Sequence, residues 1–152
     1  QVAVLVADGC DGDDVAAVVD VLRSAGAVPR LVGPRIGPFT SDGGAALDAD
    51  ASLENHPLFL FDAVVVPGGR EAAPRIARDA RSLEGLRDQY RHGKAMLALG
   101  AGRELLAQAG LPPQEAPGVV MGESADEACL QRFVEALAAH RHFARESDPP
   151  RV

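Results

Sequence analysis

Short apolar runs along the chain alternate with segments whose apolar residues have helical spacing. Residues 2–7 (VAVLVA) form a continuous apolar run, which is typical of a strand buried on both faces of a sheet. Residues 13–25 follow with apolar side chains at i, i+3, i+4 and i+7 from Val15, the pattern of an amphipathic helix. Gly26 is a natural end for that helix. The start of the chain therefore predicts a buried strand followed by a helix.

The same alternation continues to the end of the chain. Further strands are predicted at residues 27–32, 61–69 (a strand with its Gly-Gly turn), 95–99 and 119–121. Helices are predicted at residues 71–91 with a break near Asp79, from Ala101 onward, and at residues 126–140. Strands that alternate with helices require crossover connections, so the pattern predicts an α/β fold of the flavodoxin-like type. In this three-layer sandwich, helices cover both faces of a doubly wound, mostly parallel sheet.

Three segments are predicted to lie outside these elements. Residues 33–44 are rich in Gly and Pro and are expected to form an irregular excursion, and residues 52–56 a short helical turn. Residues 144–152 are expected to be a polar C-terminal tail that frays. The folded domain is therefore predicted to span residues 1–143.

The composition is that of an ordinary globular domain, and it argues against some classes of binding partner. Its 152 residues suit one domain, and 47% of them are hydrophobic and 24% charged. A net charge of −7 argues against nucleic-acid and anionic membrane surfaces, and no apolar run approaches the roughly 20 residues of a membrane span. Two cysteines are too few for a disulfide framework, so a reducing cytoplasm is expected. Because the chain starts at Gln1 rather than Met, it is expected to be a segment of a longer protein or to have lost residues upstream.

Three loops are predicted to meet at the carboxyl edge of the sheet, where ligands bind in folds of this type. They read DGCDGDD (residues 8–14), PGGRE (67–71) and GAGRE (100–104). The first loop contains four aspartates, which would repel a phosphate, so nucleotide or flavin binding is not expected. These aspartates are expected to serve the following helix instead, with Asp11 or Asp13 as its N-cap. Their spacing does not fit the calcium-loop pattern.

Residues 95–110 (AMLALGAGRELLAQAG) read as a buried strand, a tight turn and a helix, which is the shape of a nucleophile elbow. The tip of such an elbow carries Cys or Ser, but Gly100 stands there. Without that nucleophile, no complete set of nucleophile, base and orienting group can be assembled from the sequence. Gly100 is still expected to keep the strained backbone of an elbow.

Cys10 is the one thiol predicted at this edge of the sheet. Its place just before a helix N-terminus favours the thiolate, whereas the neighbouring carboxylates oppose it. A reactive thiol and an incidental loop thiol therefore both remain open. Cys129 falls within the last predicted helix and is expected in the core. His140 and His142 are spaced i, i+2, which suits basic groups at a helix end better than a metal site.

The segments FDAVVVPGG (residues 61–69) and ALGAG (98–102), in this order of elements, resemble the ThiJ/PfpI superfamily, which is related to class I glutamine amidotransferases. The resemblance implies that Gly100 replaces the elbow cysteine, so peptidase, glyoxalase and deglycase activities are not inherited through it. It also implies a supporting carboxylate at the start of the first helix, where the alignment can shift by one residue. The vestigial pocket that the resemblance implies consists of Asp11, Gly12, Gly68, Gly69 and Ala101.

Nearly the whole chain resembles the C-terminal domain of large-subunit (clade 2) haem catalases. The matching segments are VLVADGCDGDDV, DGGAALDAD, LFDAVVVPGG, YRHGKAMLALGAG and AHRHFARE. The resemblance implies a catalytically silent accessory domain that stabilises the catalase subunit and shapes access to its haem channel. Its implied partners are the catalase core of the same polypeptide and neighbouring subunits of a homotetramer.

The resemblance also implies what the parent protein does. The parent decomposes hydrogen peroxide to water and oxygen in oxidative-stress defence, and its haem lies in the catalase core. No haem or metal is expected in this segment, because its only tyrosine, Tyr90, lies in a charged helical stretch (DQYRHGK) without a pocket around it in sequence. Two alternatives remain open: a stand-alone ThiJ/PfpI-type hydrolase or deglycase with Cys10 as a displaced nucleophile, and a chaperone-like interaction module.

Overall fold

The apolar runs form the strands of one parallel sheet in the computed structural model, which describes residues 1–147. In chain order the strands are β1 (Val2–Leu5), β2 (Pro29–Gly33), β3 (Gly37–Thr40), β4 (Ala46–Ala49), β5 (Ala51–Ser52), β6 (Ala63–Val66), β7 (Ala95–Leu99) and β8 (Val119–Gly122). Six of them form a sheet in the order β5-β2-β1-β6-β7-β8, and every neighbouring pair in it is parallel. The chain changes direction across the sheet between β1 and β6, which is where doubly wound folds place their sites.

Helices cover both faces of this sheet. They are α1 (Gly12–Ser24), α2 (Ala72–Ala77), α3 (Ala80–Arg91), α4 (Arg103–Gln108) and α5 (Glu127–Ala138). Helices α1 and α5 contact each other on one face, and α2, α3 and α4 contact one another on the other. Strands β1, β6 and β7 lie between the two layers, and all of their residues are buried. The predicted flavodoxin-like α/β sandwich is confirmed.

Side-chain caps set the helix starts that the sequence indicates. Asp11 is the N-cap of α1, and its carboxylate accepts a hydrogen bond of 3.0 Å from the backbone N–H of Asp14. Asp79 interrupts the long helix predicted at residues 71–91, because its carboxylate caps α3 by accepting from the N–H of Arg81. The helix expected from Ala101 begins as a 3₁₀ turn (Gly100–Gly102) and becomes α-helical at Arg103.

The irregular excursion predicted for residues 33–44 is wrong in part. Its second half contains β3, which pairs with β4 as an antiparallel hairpin. Phe39 and Leu47 oppose each other in this hairpin and are both buried, while the ring of Phe39 packs on Gly33. Gly and Pro around Phe39 leave only one apolar residue to mark the strand, so its alternation is too short to detect in the sequence.

The short helical turn predicted at residues 52–56 is present as one hydrogen-bonded turn, in which the N–H of His56 donates to the carbonyl of Ser52 at 2.8 Å, and it does not continue as a helix. Ser52 ends β5, and a tight turn follows in which the Asn55 side-chain oxygen accepts a hydrogen bond of 2.9 Å from the N–H of Ser52. An Asn side chain that binds nearby backbone in this way competes with helix formation. A separate 3₁₀ helix follows at Leu58–Leu60.

The C-terminal tail expected to fray from residue 144 is ordered at its start. Phe143–Ser147 form a 3₁₀ helix, and Arg145 is buried with its guanidinium 4.8 Å from the centre of the Tyr90 ring. We call residues 139–145 the C-terminal strap. The N–H of His142 donates to the carbonyl of Gly93, which ties the strap to the end of α3. The sequence shows that Arg145 is polar, but not that it contacts the Tyr90 ring and backbone carbonyls in the fold. Residues 148–152 of the predicted tail lie outside the described residues.

Candidate functional site

The carboxyl end of β7 runs directly into the predicted elbow. Gly100 has φ +51°, in the left-handed region that disfavours a side chain, as the sequence analysis expected for the tip of a strained turn. The next glycine of the turn, Gly102, packs so closely on the strand below that a Cβ atom would lie 2.6 Å from the carbonyl oxygen of Pro67. The strand-to-helix geometry of an elbow is therefore present without a nucleophilic side chain at its tip.

Backbone from the loop after β8 lies against one side of the elbow tip. The carbonyl oxygen of Glu123, which follows β8, lies 3.2 Å from the position that a Cβ atom on Gly100 would take. Arg103 fixes this arrangement, because its Nε donates to the carbonyl of Gly100 at 2.9 Å and its Nη2 donates to the Glu123 carboxylate at 2.8 Å. A side chain at Gly100 would therefore crowd this carbonyl, although the half-buried tip still lines an open cleft.

The Gly-Gly turn after β6 lies against both the elbow and the first loop. A Cβ atom on Gly69 (φ +115°) would lie 2.2 Å from the carbonyl oxygen of Gly9, so only glycine fits there. The N–H of Asp11 donates to the carbonyl of Gly68 at 2.9 Å, and the Cα of Gly68 is 3.5 Å from the Cβ position of Gly100. The structure thus brings Gly68, Gly69, Asp11 and the elbow together.

Two of the predicted pocket residues occupy different positions around this centre. Gly12 faces the hairpin side, where its N–H donates to the Asp42 carboxylate at 3.3 Å and its Cβ position meets Ser41. Ala101 lies beside the elbow in an open cleft of about 480 Å³. The other residues that line this cleft are Arg70, Gly100, Arg103, Glu104, Ala107, Pro113 and Glu123. No histidine belongs to this lining in the part of the chain that the structure describes, so the cleft has no imidazole to act as a base.

The buried carboxylate at the centre of the site belongs to Asp14, which the sequence analysis assigned only a capping role. One of its oxygens accepts a hydrogen bond from the N–H of Gly68 at 3.1 Å, and the other accepts from the N–H of Ala125 at 3.0 Å. Asp14 joins the start of α1 to the loops after β6 and β8. A signal was available in its spacing, because Asp14 precedes the buried Val18 by four residues and so shares its face of α1.

Burial governs the protonation of Asp14. Desolvation raises the pKa of its carboxyl group, and the neighbouring Asp11 and Asp42 raise it further. The two backbone N–H groups act in the opposite direction, since they stabilise the charged form. Both oxygens already accept hydrogen bonds within the fold, so the carboxylate serves as a structural cross-link between loops.

Cys10 lies near this centre but is not exposed to solvent. Its side chain is fully buried, and its sulfur accepts a hydrogen bond from the N–H of Ala7 at 3.3 Å. Burial, with a smaller effect of the nearby Asp42, raises the pKa of the Cys10 thiol to about 11. This environment favours the incidental loop thiol over a reactive one, while Cys129 is buried in α5, as expected of a core residue.

His142, near the C-terminus, packs against backbone within the fold. The His142 ring packs on Gly118, where a Cβ atom would lie 2.2 Å from the ring, and its Nε2 is 2.9 Å from the carbonyl oxygen of Ala136. Within residues 1–147, no group of three or more His, Cys, Asp or Glu side chains is placed to hold a metal ion. Over the same residues, no helix is long and apolar enough to cross a membrane.

Comparison with solved structures shows the class of fold. Drosophila melanogaster DJ-1beta superposes with a TM-score of 0.77 at 18% identity, over 97% of this chain and 93% of that one. A DJ-1 superfamily protein from Salmonella typhimurium superposes with a TM-score of 0.75 at 22% identity, over 91% of this chain and 88% of that one. The chain therefore has the fold of the DJ-1/ThiJ/PfpI superfamily.

Comparison of sequences shows the family within that class. Residues 1–147 match the family described as the C-terminal domain found in long catalases. The chain is 36% identical over 147 residues to catalase HPII of Pseudomonas aeruginosa, and 30% identical over 172 aligned positions to catalase-1 of Neurospora crassa; each alignment covers 97% of this chain. The chain belongs to the family of C-terminal domains of long catalases, and it spans 20% and 23% of the length of these two relatives.

Proposed function

We propose that this chain is a catalytically silent accessory domain of a haem catalase and that it stabilises the catalase subunit. The parent polypeptide would decompose hydrogen peroxide to water and oxygen in the cytoplasm as part of oxidative-stress defence. Its partners would be the catalase core of the same polypeptide and the neighbouring subunits of a homotetramer. The observation that carries the proposal is the elbow without a nucleophile: Gly100 stands at its tip, and no histidine lines the cleft beside it within the described residues.

The chemistry of an elbow enzyme cannot be assembled from the groups at this edge. Nucleophilic catalysis needs an activated nucleophile, a base within hydrogen-bond reach and a group that orients the base. Cys10 is buried and its thiol is protonated at neutral pH, since its pKa is raised to about 11. Asp14 is buried, does not belong to the lining of the cleft, and has both oxygens bound by backbone N–H groups, so it is not placed to orient a base there. The alternative of a stand-alone hydrolase with Cys10 as nucleophile is therefore disfavoured.

Neither Tyr90 nor His142 is placed to hold a haem. A haem iron needs an axial side chain that faces an open pocket. Tyr90 is only 2% exposed and lies against the Arg145 guanidinium, which covers its ring. The His142 ring fills the space over Gly118. The haem of a catalase containing this domain is accordingly assigned to its core.

Retention of the elbow without its nucleophile has a physical explanation in the stability of the fold. Asp14 connects loops that are 54 and 111 residues away from it along the chain, and each connection is a hydrogen bond to a carboxylate. Hydrogen bonds to charged groups contribute about 1.5–3 kcal/mol each. The former site thus provides a stiff junction at the centre of the domain, and a stiff domain is suited to supporting a larger subunit.

Catalytic silence is tested on the isolated chain. The chain is mixed with hemin, the Soret band and oxygen evolution are recorded with hemin alone as the reference, and ester and glycated-peptide substrates are assayed separately. We expect no stoichiometric haem binding, no peroxide turnover above free hemin and no hydrolysis. Stoichiometric binding with turnover far above free hemin, or hydrolysis that disappears in Cys10→Ser, would contradict the proposal.

A further inference from the structure

Strand β8 lies at one end of the six-stranded sheet, and β7 is its neighbour on the inner side. The carbonyl of Gly118, just before β8, accepts a hydrogen bond of 2.9 Å from the N–H of Met96 on β7. The backbone groups of successive residues point to opposite sides of a strand. The N–H and carbonyl groups of Val119 and Met121 therefore point away from β7, and we call these four groups the free edge of β8.

One pair of side chains occupies both backbone groups of Met121. The N–H of Met121 donates to the Glu115 carboxylate at 3.0 Å, and the Met121 carbonyl accepts from Nη2 of Arg132 at 3.3 Å. Nη1 of Arg132 donates to the same oxygen of Glu115 at 2.6 Å, which joins the two side chains. Glu115 lies in the segment before β8, and Arg132 lies on α5. The pair thus reaches the free edge from two separate elements.

The arrangement offers Met121 what a neighbouring strand would offer. In a hydrogen-bonded antiparallel pair, the opposite residue accepts with its carbonyl and donates with its N–H. Glu115 supplies that acceptor and Arg132 supplies that donor. Beside them, the N–H of Val119 donates to the carbonyl of Ala116 at 2.8 Å, in an antiparallel contact. Three of the four free-edge groups are therefore occupied from within the chain.

Stability alone gives little reason for this ion pair. The side chains of Arg132 and Glu115 are 48% and 45% exposed, and solvent screens ion pairs as exposed as this one. The hydrogen bond from Met121 lowers the pKa of Glu115, and the one from Arg132 acts in the same direction, so the carboxylate is charged at neutral pH. The main physical effect of the pair is to block access to the backbone of β8.

A β8 strand without this pair would attract another strand. Val119, Val120 and Met121 are apolar, and an apolar edge with open backbone groups is a template for strand addition. The opposite end of the sheet is protected in another way, because β5 has only two residues, both buried. So short an edge offers few backbone groups for pairing.

A second copy of this chain presents the strand that fits the free edge. Two β8 strands related by a two-fold axis run antiparallel and offer each other the same row of donors and acceptors. Such pairing uses the free edges of both copies and therefore ends at a dimer. The partner's backbone would take the positions that Glu115 and Arg132 hold against Met121.

We propose that Glu115 and Arg132 form an edge guard, which prevents a second copy of this domain from adding its β8 to the free edge. The inference concerns the association of the domain and is independent of the function proposed above. A second strand reaches Met121 only after both side chains have left it. The guard therefore keeps the apolar end of the sheet from pairing with itself.

Removal of the guard tests this inference on the 152-residue chain. The edge variant combines Glu115→Ala with Arg132→Ala, which leaves the net charge unchanged. The control combines Asp88→Ala with Arg91→Ala and removes an ion pair on α3 whose side chains are 39% and 51% exposed. Sedimentation velocity over a concentration series measures association, and circular dichroism with thermal unfolding compares the folds.

We expect the edge variant to form a dimer with a dissociation constant at least ~10-fold lower than that of the wild type or the control. Equal association of the three proteins, or growth of the edge variant past the dimer, would overturn the inference. Arg132→Ala alone frees only the Met121 carbonyl and is the milder variant, with Arg91→Ala as its control. We expect it to associate more tightly than this control, and equal association would also overturn the inference.

Amide hydrogen exchange, followed by NMR, tests the location of the contact. In the dilute edge variant, the Met121 amide should exchange at least ~10-fold faster than in the wild type, because Glu115 no longer accepts from it. At concentrations where the variant is dimeric, exchange at Met121 should slow again, since the second β8 supplies a new acceptor. A dimer in which Met121 stays unprotected would place the contact on another surface and overturn the inference.

Discussion

The carbonyl oxygen of Glu123 lies 3.2 Å from the position of a Cβ atom on Gly100. A side chain at this position would make a tight contact with that carbonyl, beside the surface ion pair between Arg103 and Glu123. The glycine at the tip is therefore matched by its surroundings, which leave little room for a larger side chain on this side of the elbow.

Substitution of Gly100 by valine should destabilise the domain. The backbone has φ +51°, where a β-branched residue is strained, and the added methyl groups would crowd the Glu123 carbonyl. We expect a loss of at least ~1 kcal/mol in the free energy of unfolding, measured by urea denaturation. Gly43→Val is the control, because a Cβ atom there meets nothing within 4 Å. A loss at Gly100 no larger than at Gly43 would remove the strain argument.

Gly100→Cys should be milder than Gly100→Val, since the superfamily that the chain resembles places cysteine at this position. We expect an alkylatable thiol but no hydrolase or deglycase turnover, because Asp14 is committed to Gly68 and Ala125 and no histidine lines the described cleft. The measurement combines iodoacetamide labelling with a turnover assay on glycated peptide. Efficient turnover by this variant would show that a working site had survived around the elbow.

Asp14→Ala should be among the most destabilising changes at this edge. It leaves the buried N–H of Gly68 and the part-buried N–H of Ala125 without their acceptor, and an unsatisfied buried donor costs about 1–3 kcal/mol. We expect a loss of at least ~2 kcal/mol in chemical denaturation. Asp13→Ala is the matched control, since the neighbouring carboxylate is exposed and lies in the same helical turn. Equal losses for the two variants would contradict the cross-link assigned to Asp14.

The cost of Asp14→Ala should also depend on pH, in a direction fixed by the raised pKa. A raised pKa means that the folded state binds the proton more tightly than the unfolded state, whose value is near 3.8. The stabilisation that protonated Asp14 adds to the free energy of unfolding is therefore fully present below that value. It declines as the pH rises through the pKa of the folded state. The difference in unfolding free energy between wild type and variant should be larger at about pH 4 than at about pH 7. A difference that grows towards neutral pH would indicate a lowered pKa instead.

Cys10 should resist alkylation in the native chain. Its thiol is fully buried and its pKa is raised to about 11, so the thiolate fraction at neutral pH is very small. Iodoacetamide labelling followed by peptide mass spectrometry should show little modification near about pH 8 and a rise towards about pH 11, whereas an unfolded control labels at once. Fast native labelling with a midpoint below about 8.5 would favour the displaced-nucleophile alternative.

Sequence patterns predicted the central strands because burial on both faces leaves a run of apolar residues. Strands β1, β6 and β7 are of this kind, and the break at Asp79 was visible because a capping residue marks it locally. The β3–β4 hairpin was missed since Phe39 is its main apolar residue among Gly and Pro. Local signals suffice where one element determines its own conformation.

Residues whose partners lie far along the chain could not be placed in the same way. Asp14 looked like any first-turn aspartate, because its partner Ala125 is 111 residues away. Arg145 looked like part of a polar tail, although the Tyr90 ring and the Lys94 carbonyl receive it in the fold. The elbow itself was predicted from the strand–turn–helix pattern, but the approach of the Glu123 carbonyl to its tip required the structure.

The most direct measurement compares the full catalase polypeptide with a form that lacks residues 1–147, at equal haem loading. Initial peroxide turnover per haem and the half-life of that turnover at elevated temperature are recorded for both. If this domain is silent and stabilising, the initial turnover per haem should agree within about twofold, and the half-life of the truncated form should be shorter by about tenfold or more. A truncated form with a much lower initial turnover per haem would contradict the silent role. A truncated form with the full half-life would contradict the stabilising role.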